Sequence, residues 1–323
     1  MKRTILFAGL CLVAGGMLSP GPTQAASSGR EAVAVDAAAW VISDATSGVI
    51  LGASNPGKHL QVGSITKIAT AMVVLDWAAA KGESLSQMVT VPGTIAPLSS
   101  PNSIGLQPGD QIALRDVLYA ALMQSDNQAA ETLAVHVGKK LGGGATDEEA
   151  AKSFTAQMNA LARQLGMRDT RFLNAHGLDD LESKLPYSSA HDLALLTNYA
   201  LGHSGFTFYT SQKERRISWQ TAGGESSAYQ LKNTNEALGD MGIDGVKTGT
   251  TRKAGGCVIV TAAQRPDSKQ VGDNYEITPR RLTVVVLGSA NRFEVAKSLL
   301  AHGWELHEQW TAAGRPKGWK AAR

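Results

Sequence analysis

The chain has 323 residues, 43% of them hydrophobic and 18% charged, with a net charge of +3. That is an ordinary globular composition, with apolar side chains for one large core or two modest ones. So small a charge lacks the basic footprint of a nucleic-acid binder, and no nucleic-acid partner is expected.

The opening "MKRTILFAGLCLVAGGMLSPGPTQA" starts basic, at Lys2 and Arg3. It runs apolar from Ile5 to Leu18 and reaches a small-residue site near Ala25. Residues 1–25 read as a secretory signal peptide, too short and too glycine-rich for a good membrane span. Cys11 follows Leu10 rather than a small residue, which argues against a lipoprotein cleavage site. Cleavage removes Lys2 and Arg3 from the 31 basic residues and leaves 29 against 28 acids, a net charge of +1. It also leaves Cys257 alone, so no internal disulfide is possible. Cys257 sits in the strand-like run "GGCVIVTAA" and reads as a small buried apolar residue.

Residues 26–36 read as a flexible segment. "AAAWVISDATSGVILGAS" then reads as two short strands around a turn at Asp44–Gly48. Ser64 to Ala80 reads as a helix ended by Gly82, apolar nearly all round and therefore a core helix. "VTVPGTIAPLSSPNSIGLQPGD" is turn-rich and reads as a surface excursion. "IALRDVLYAALM" returns to helix, and "NQAAETLAVHVG" does so beyond a break at Ser125-Asp126. "DEEAAKSFTAQMNALARQLGM" and "SAHDLALLTNYALG" are two further helices. The last third changes period: "KERRISW", "SAYQLKN", "GGCVIVTAA" and "RRLTVVVLG" read as strands. The polar stretch "QRPDSKQVGDNYEITP" reads as a long loop between the last two. A closing helix, "RFEVAKSLLAHGWELHEQW", precedes a basic tail, residues 312–323, which is expected to fray. Strands at both ends with helices between predict one α+β domain over residues 37–311. Its antiparallel sheet is built from both chain ends and carries an inserted helical lobe, with a cleft between them.

Three short motifs fall on these elements. In "GSITKIA", Ser64 and Lys67 are three apart, so on a helix both side chains share one face. A serine hydroxyl is a weak nucleophile until something takes its proton. Lys67 can do so only when neutral, and an ordinary lysine pKa of about 10.4 makes that cost roughly 4–5 kcal/mol at neutral pH. The pair therefore needs a dry site and a second cation nearby to lower that pKa. In "LMQSDNQAA", Ser125 and Asn127 stand where one apolar helix stops and another begins. There a hydroxyl and a carboxamide can relay a proton and hold a substrate amide, although all three residues also suit a plain helix cap. Ser100-Pro101-Asn102 has the same form but lies in the proline-rich excursion, so Ser125 is preferred. In "GIDGVKTGTTRKAGG", Lys247 supplies the second cation, Thr248 offers a hydroxyl to a carboxylate, and Gly249 lets a substrate backbone approach.

S-x-x-K, S-D-N and K-T-G in this order are a signature set of penicillin-binding proteins and class A β-lactamases. With "LGMRDTRFLNAHGL", "LKNTNEAL" and "KTGTTRKAGGCVIV", the chain from about Ala37 to Trp310 resembles the serine-type D-alanyl-D-alanine peptidases of family S11. It looks most like their endopeptidase branch. The resemblance implies a β-lactamase/transpeptidase-like fold and hydrolysis of D-Ala-D-Xaa bonds in peptidoglycan, with β-lactam antibiotics as covalent inhibitors. It makes Ser64 the nucleophile, Lys67 the proton acceptor and Ser125 the proton relay to the leaving amine. Asn127 would orient the peptide, and Lys247, Thr248 and Gly249 would bind it. The N–H groups of Ser64 and Thr250 would form the oxyanion hole. Arg292 matches the family's carboxylate-binding arginine, although a plain helix-entry charge is as good a reading of it. Many relatives carry S-G-N, so Asp126 departs from that pattern and alters local charge. Larger members add a second, β-rich domain and an anchor helix. Here the residues after Lys247 are taken up by two strands and the closing helix. A periplasmic enzyme without a firm membrane anchor is therefore expected.

No cofactor or metal is expected: His176, Asp179 and Asp180 lie in one loop without a second cluster at ligand spacing. Three other readings compete. A β-lactamase on the same fold needs a glutamate four residues before the asparagine of a Leu-Asn pair, but Thr170 precedes Leu173-Asn174 at that spacing. A Ser-His-Asp esterase finds only "GHSGF" around Ser204 and the pair His191-Asp192. A non-catalytic peptidoglycan-binding module is at odds with three intact motifs.

Overall fold

The computed structural model describes residues 35–180, 184–203 and 205–319. The expected signal peptide lies outside the described residues. The expected hairpin forms from β1 (Ala39–Asp44) and β2 (Ile50–Ser54). The closing strands are β7 (Ile243–Thr251), β8 (Gly255–Val271) and β9 (Asn274–Ser289). Together they make an antiparallel sheet in the order β2-β1-β9-β8-β7. The two chain ends meet at its centre, where β1 pairs with β9 from Ala39 opposite Leu287 to Asp44 opposite Leu282.

Strand alternation loads both faces of this sheet. Ile42, Val258, Val260, Val284 and Val286 pack on one side with Leu299, Leu300 and Trp310 of the closing helix α7 (Arg292–Ala312). Val41, Ile259, Val285 and Leu287 face the other side and join the helical core. At the centre of that core lies α1 (Lys67–Lys81), buried on almost every side and capped at Gly82 in the left-handed conformation. Each fully buried Ile68, Met72 or Val74 contributes about 1.5–3 kcal/mol. The remaining helices are α2 (Leu114–Tyr119), α3 (Asn127–Lys140), α4 (Asp147–Gln164), α5 (Ala190–Gly202) and α6 (Phe206–Thr210). The α4 N-terminus is closed by a capping box between Thr146 and Glu149.

Four expectations need correction. "KERRISW" and "SAYQLKN" do form strands, β5 (Glu214–Gln220) and β6 (Ser226–Lys232), but not in the main sheet. They belong to a second, four-stranded sheet with β3 (Met88–Thr90) and β4 (Gln111–Ala113). Those two strands are too short to show a period. The turn-rich excursion between them is not purely surface, because Ile95, Leu98, Ile104 and Leu106 are buried. The polar stretch after Ala263 is not a loop. It continues β8 and β9 as a two-stranded ribbon paired to Val271 opposite Asn274. The register slips between Gln264 and Asp267, around Pro266. Solvent on both faces of a ribbon removes the alternation that would mark strands. Finally, the tail as far as Trp319 does not fray. Trp310 Nε1 donates to Pro316 O (3.1 Å), and Arg315 pairs with Asp267 of the ribbon. Among the described residues, no helix is long and apolar enough to cross a membrane.

Candidate active site

Ser64 does not start the α-helix itself. It lies in a single 3-10 turn, Gly63–Thr66, that runs straight into Lys67. The three-residue spacing still stacks the two side chains, and Lys67 Nζ lies 2.8 Å from Ser64 Oγ. Lys67 is fully buried. Its Nζ also lies 2.8 Å from Asn127 Oδ1 and 2.8 Å from the backbone oxygen of His176. Those two partners are pure acceptors, so each takes an N–H. A neutral amine has only two N–H bonds, so its lone pair then points at Ser64 Oγ. Burial pushes Lys67 down to about 7 from the ordinary 10.5, against the pull of the Asp126 carboxylate, which raises it. The dry site that the motif requires is therefore present.

Asn127 opens α3, and Asp126 caps that helix by accepting from Ala129 N (3.0 Å). The other oxygen of Asp126 accepts from Ile104 N (2.7 Å), so the excursion is tied to the motif. Ser125, just before, is buried and held at φ +64°. Ser100 and Asn102 are engaged in a local turn, with Ser100 N donating to Ser103 Oγ and Asn102 N to Ser100 Oγ.

The K-T-G triplet lies within β7. A Cβ on Gly249 would sit 2.4 Å from Val62 O and 3.1 Å from Ile65 N, so only glycine lets the strand abut the turn that carries Ser64. On the facing side, a Cβ on Gly63 would lie 3.1 Å from Thr250 N. The Thr250 backbone nitrogen thus packs against Gly63, the chain neighbour of Ser64. Lys247 is buried, and its pKa is held well below the ordinary lysine value by burial and by the nearby Lys67 and Arg292 charges. Both lysines are thus driven toward neutrality, which differs from the expectation of one neutral and one cationic lysine. Thr248 Oγ1 lies 2.6 Å from Thr234 Oγ1 of the "LKNTNEAL" segment. Arg292 is not an idle helix-entry charge: Nη1 donates to Gly249 O (3.0 Å) and to Thr250 Oγ1 (2.5 Å).

Sequence reasoning missed the contribution of the 174–180 loop. His176 holds Lys67 through its backbone oxygen, which leaves no mark in a sequence. Its ring stays neutral, pushed down to about 3 by burial and by Lys67. Gly177 fits closely, at φ +86°, where a Cβ would lie 2.0 Å from Gly63 O. Thr251 Oγ1 donates to Asp179 Oδ2 (2.5 Å) and Lys253 Nζ to Asp179 O (2.8 Å), closing the loop onto β7. One turn beyond Asn127, Glu131 is buried and pushed up to about 7 by desolvation.

The residues behind the rival readings lie in other settings. The Thr170 hydroxyl is bonded to Asp192 Oδ2 and Ser188 Oγ (both 2.8 Å). Asp192 also holds Asp169 N, while Ser204 lies outside the described residues. Among the described residues, no group of three or more His, Cys, Asp or Glu side chains is placed to hold a metal.

Comparison with known proteins gives a consistent picture. The family model described as D-alanyl-D-alanine carboxypeptidase, peptidase family S11, matches residues 24–271. The D-alanyl-D-alanine carboxypeptidase DacC of Escherichia coli K12 is 33% identical over 291 residues, which cover 87% of this chain and 64% of that protein. A D-alanyl-D-alanine endopeptidase of Pseudomonas aeruginosa is 30% identical over 222 residues, covering 68% of this chain and 65% of the relative. The chain thus spans just under two thirds of the length of either relative. The crystal structure of the Streptomyces K15 DD-transpeptidase superimposes with a TM-score of 0.71 at 27% identity, covering 84% of this chain and 98% of that one. Penicillin-binding protein D2 of Listeria monocytogenes, solved in its ampicillin-bound form, gives 0.63 at 28% identity, covering 84% and 99%.

Proposed function

Because the chain belongs to the D-alanyl-D-alanine carboxypeptidase family, peptidase family S11, we propose that it is a serine DD-peptidase acting on peptidoglycan stem peptides. The reading rests on Lys67 Nζ, buried and with its pKa pushed down to about 7, lying 2.8 Å from Ser64 Oγ. Ser64 Oγ attacks the carbonyl carbon of a D-Ala-D-Xaa bond and passes its proton to Lys67 Nζ. The N–H groups of Ser64 and Thr250 hold the developing oxyanion, each typically worth about 10²–10³ in rate. The C–N bond then breaks, and the leaving nitrogen takes its proton from Ser125, which recovers one from Lys67. Water hydrolyses the ester on Ser64 by the reverse sequence. The substrate amide rests on Asn127, and its carboxylate rests on Thr248, Thr250 and Arg292. Arrival of that carboxylate raises the Lys247 pKa and restores its charge.

A β-lactam enters the same reaction through its ring amide, so it acylates Ser64. Residues 37–311 form the peptidase domain, residues 1–25 direct export, and the enzyme acts in the periplasm. Labelled penicillin tests the assignment: it should attach to wild type at one site and not to Ser64→Ala, and full labelling of that variant refutes it. Release of D-Ala from pentapeptides, set against cleavage of purified muropeptide dimers, ranks carboxypeptidase against endopeptidase action.

A further inference from the structure

A cavity of about 450 Å³ borders the loop that holds Lys67. Thr94, Glu131, Glu148, Lys152, Asn174 and His176 line it. Its walls are fixed by bonds of their own. Asn174 Nδ2 donates to Leu178 O (2.9 Å), its Oδ1 accepts from Gly177 N (2.7 Å), and Thr70 Oγ1 donates to Ala175 O (2.6 Å). Gln128 Nε2 donates to Ile95 O (3.3 Å), which ties the 3-10 turn Gly93–Leu98 to α3. Acyl transfer at Ser64 uses none of this space, and the volume is in the range that encloses a small ligand, about 300–1,000 Å³.

The cavity wall is short of a cation. Glu131 is only 8% exposed, and the charges that act on it, Asp147 and Glu148 of α4, are both acidic. Asp147 is itself paired with Lys139, and the buried His176 ring stays neutral. Thr94 Oγ1 faces the Glu131 carboxyl and is buried with no other hydrogen-bond partner. A primary ammonium has three N–H donors, enough to meet both the carboxylate and the Thr94 hydroxyl. At the rim, Glu148 and Lys152 are exposed one turn apart on α4. Lys152 there offers a cation to a carboxylate on the same ligand.

We propose that this cavity is a second ligand site, for a free amino acid whose ammonium rests on Glu131 and Thr94 and whose carboxylate rests on Lys152. The open volume leaves room for the side chain, so selection falls on the two charged ends. The site goes beyond the DD-peptidase reading, whose released product, D-alanine, belongs to the ligand class. Pairing with the ammonium requires Glu131 to be ionised, and desolvation holds its pKa at about 7 in the empty cavity. Binding at pH 7 should therefore release about half a proton per ligand, and affinity should rise about tenfold from pH 6 to pH 8.

The test is calorimetric titration of D-alanine into enzyme whose Ser64 cleft is blocked by penicillin, in two buffers of different ionisation enthalpy. Glu131→Gln removes the charge, and Ala151→Trp fills the cavity from α4. Each variant is normalised to the fraction that labelled penicillin titrates. Binding at least tenfold weaker in both variants, with the proton release lost in Glu131→Gln, supports the site. D-alaninamide, which lacks the carboxylate, and propionate, which lacks the ammonium, should each bind at least tenfold more weakly than D-alanine. No binding to wild type at about 10 mM ligand overturns the proposal. So does binding that both variants retain, or that propionate matches, or that releases no proton. If penicillin fails to acylate Ser64, the peptidase reading falls; the same titrations on unblocked enzyme still decide the site.

Discussion

The acylation rate of Ser64 by labelled penicillin should follow the protonation of Lys67. Burial lowers the Lys67 pKa from 10.5 to about 7. That drop of about 3.5 pKa units corresponds to about 5 kcal/mol of bias toward the neutral amine. The depressed pKa puts the proton-accepting form above pH 7 and removes it below. The acylation rate constant should therefore plateau above pH 8, be near half-maximal at pH 7, and fall about tenfold per unit below pH 6. Lys67 and Lys247 lie close enough to interact, so the midpoint belongs to the pair. Lys67→Arg stays protonated at every pH and should lose about 10²–10⁴ in rate across the range. Stopped-flow acylation from pH 5 to 9 reads both. A flat profile in wild type, or the same limb surviving in Lys67→Ala, refutes Lys67 as the base.

Asp126 raises the Lys67 pKa, so Asp126→Asn should move the acylation limb to lower pH; an unmoved or raised midpoint contradicts that coupling. The asparagine also loses one of the two acceptors now facing Ala129 N and Ile104 N, at about 1–3 kcal/mol of stability, measurable by urea denaturation. Glu131 has its pKa raised from 4.5 to about 7, so the native state holds that proton more tightly than the unfolded chain. Stability from Glu131 is full below about pH 4.5 and is lost as pH rises through 7, by up to about 3 kcal/mol. Glu131→Gln should remove that slope, and parallel melting profiles for the two proteins from pH 5 to 8 would contradict it. Gly177→Ala places a Cβ against Gly63 O at a left-handed φ, so a loss above about 2 kcal/mol with weakened acylation is expected. Wild-type melting behaviour would show that the loop is not the close fit described.

Much of the site was legible because its groups belong to short motifs. Ser64 and Lys67 are one turn apart, and that spacing carries their contact whether the turn is α or 3-10. The closing strands were legible as short, continuous valine-rich runs, as expected of strands buried on both faces, and α7 was legible by its helical period. The second sheet was legible only in β5 and β6, since β3 and β4 have three residues each and β4 pairs with β5, far along the chain. The ribbon was missed because it borders solvent on both faces. Arg292 was named by resemblance with a helix-entry charge as an equal reading, and its bonds to Gly249 and Thr250, 42 residues back along the chain, are visible only in the tertiary structure.

The sequence by itself determined which chemical groups are present: two serine alcohols, two amines and a carboxamide, ordered along the chain as a known signature, and a guanidinium beyond them. Only the tertiary structure decided their protonation and aim. The Lys67 pKa depends on how completely the core excludes water, and its lone pair is directed by two oxygens, from Asn127 and from the backbone of His176. Desolvation and acceptor geometry arise from packing among distant segments, and no local pattern of residues encodes either.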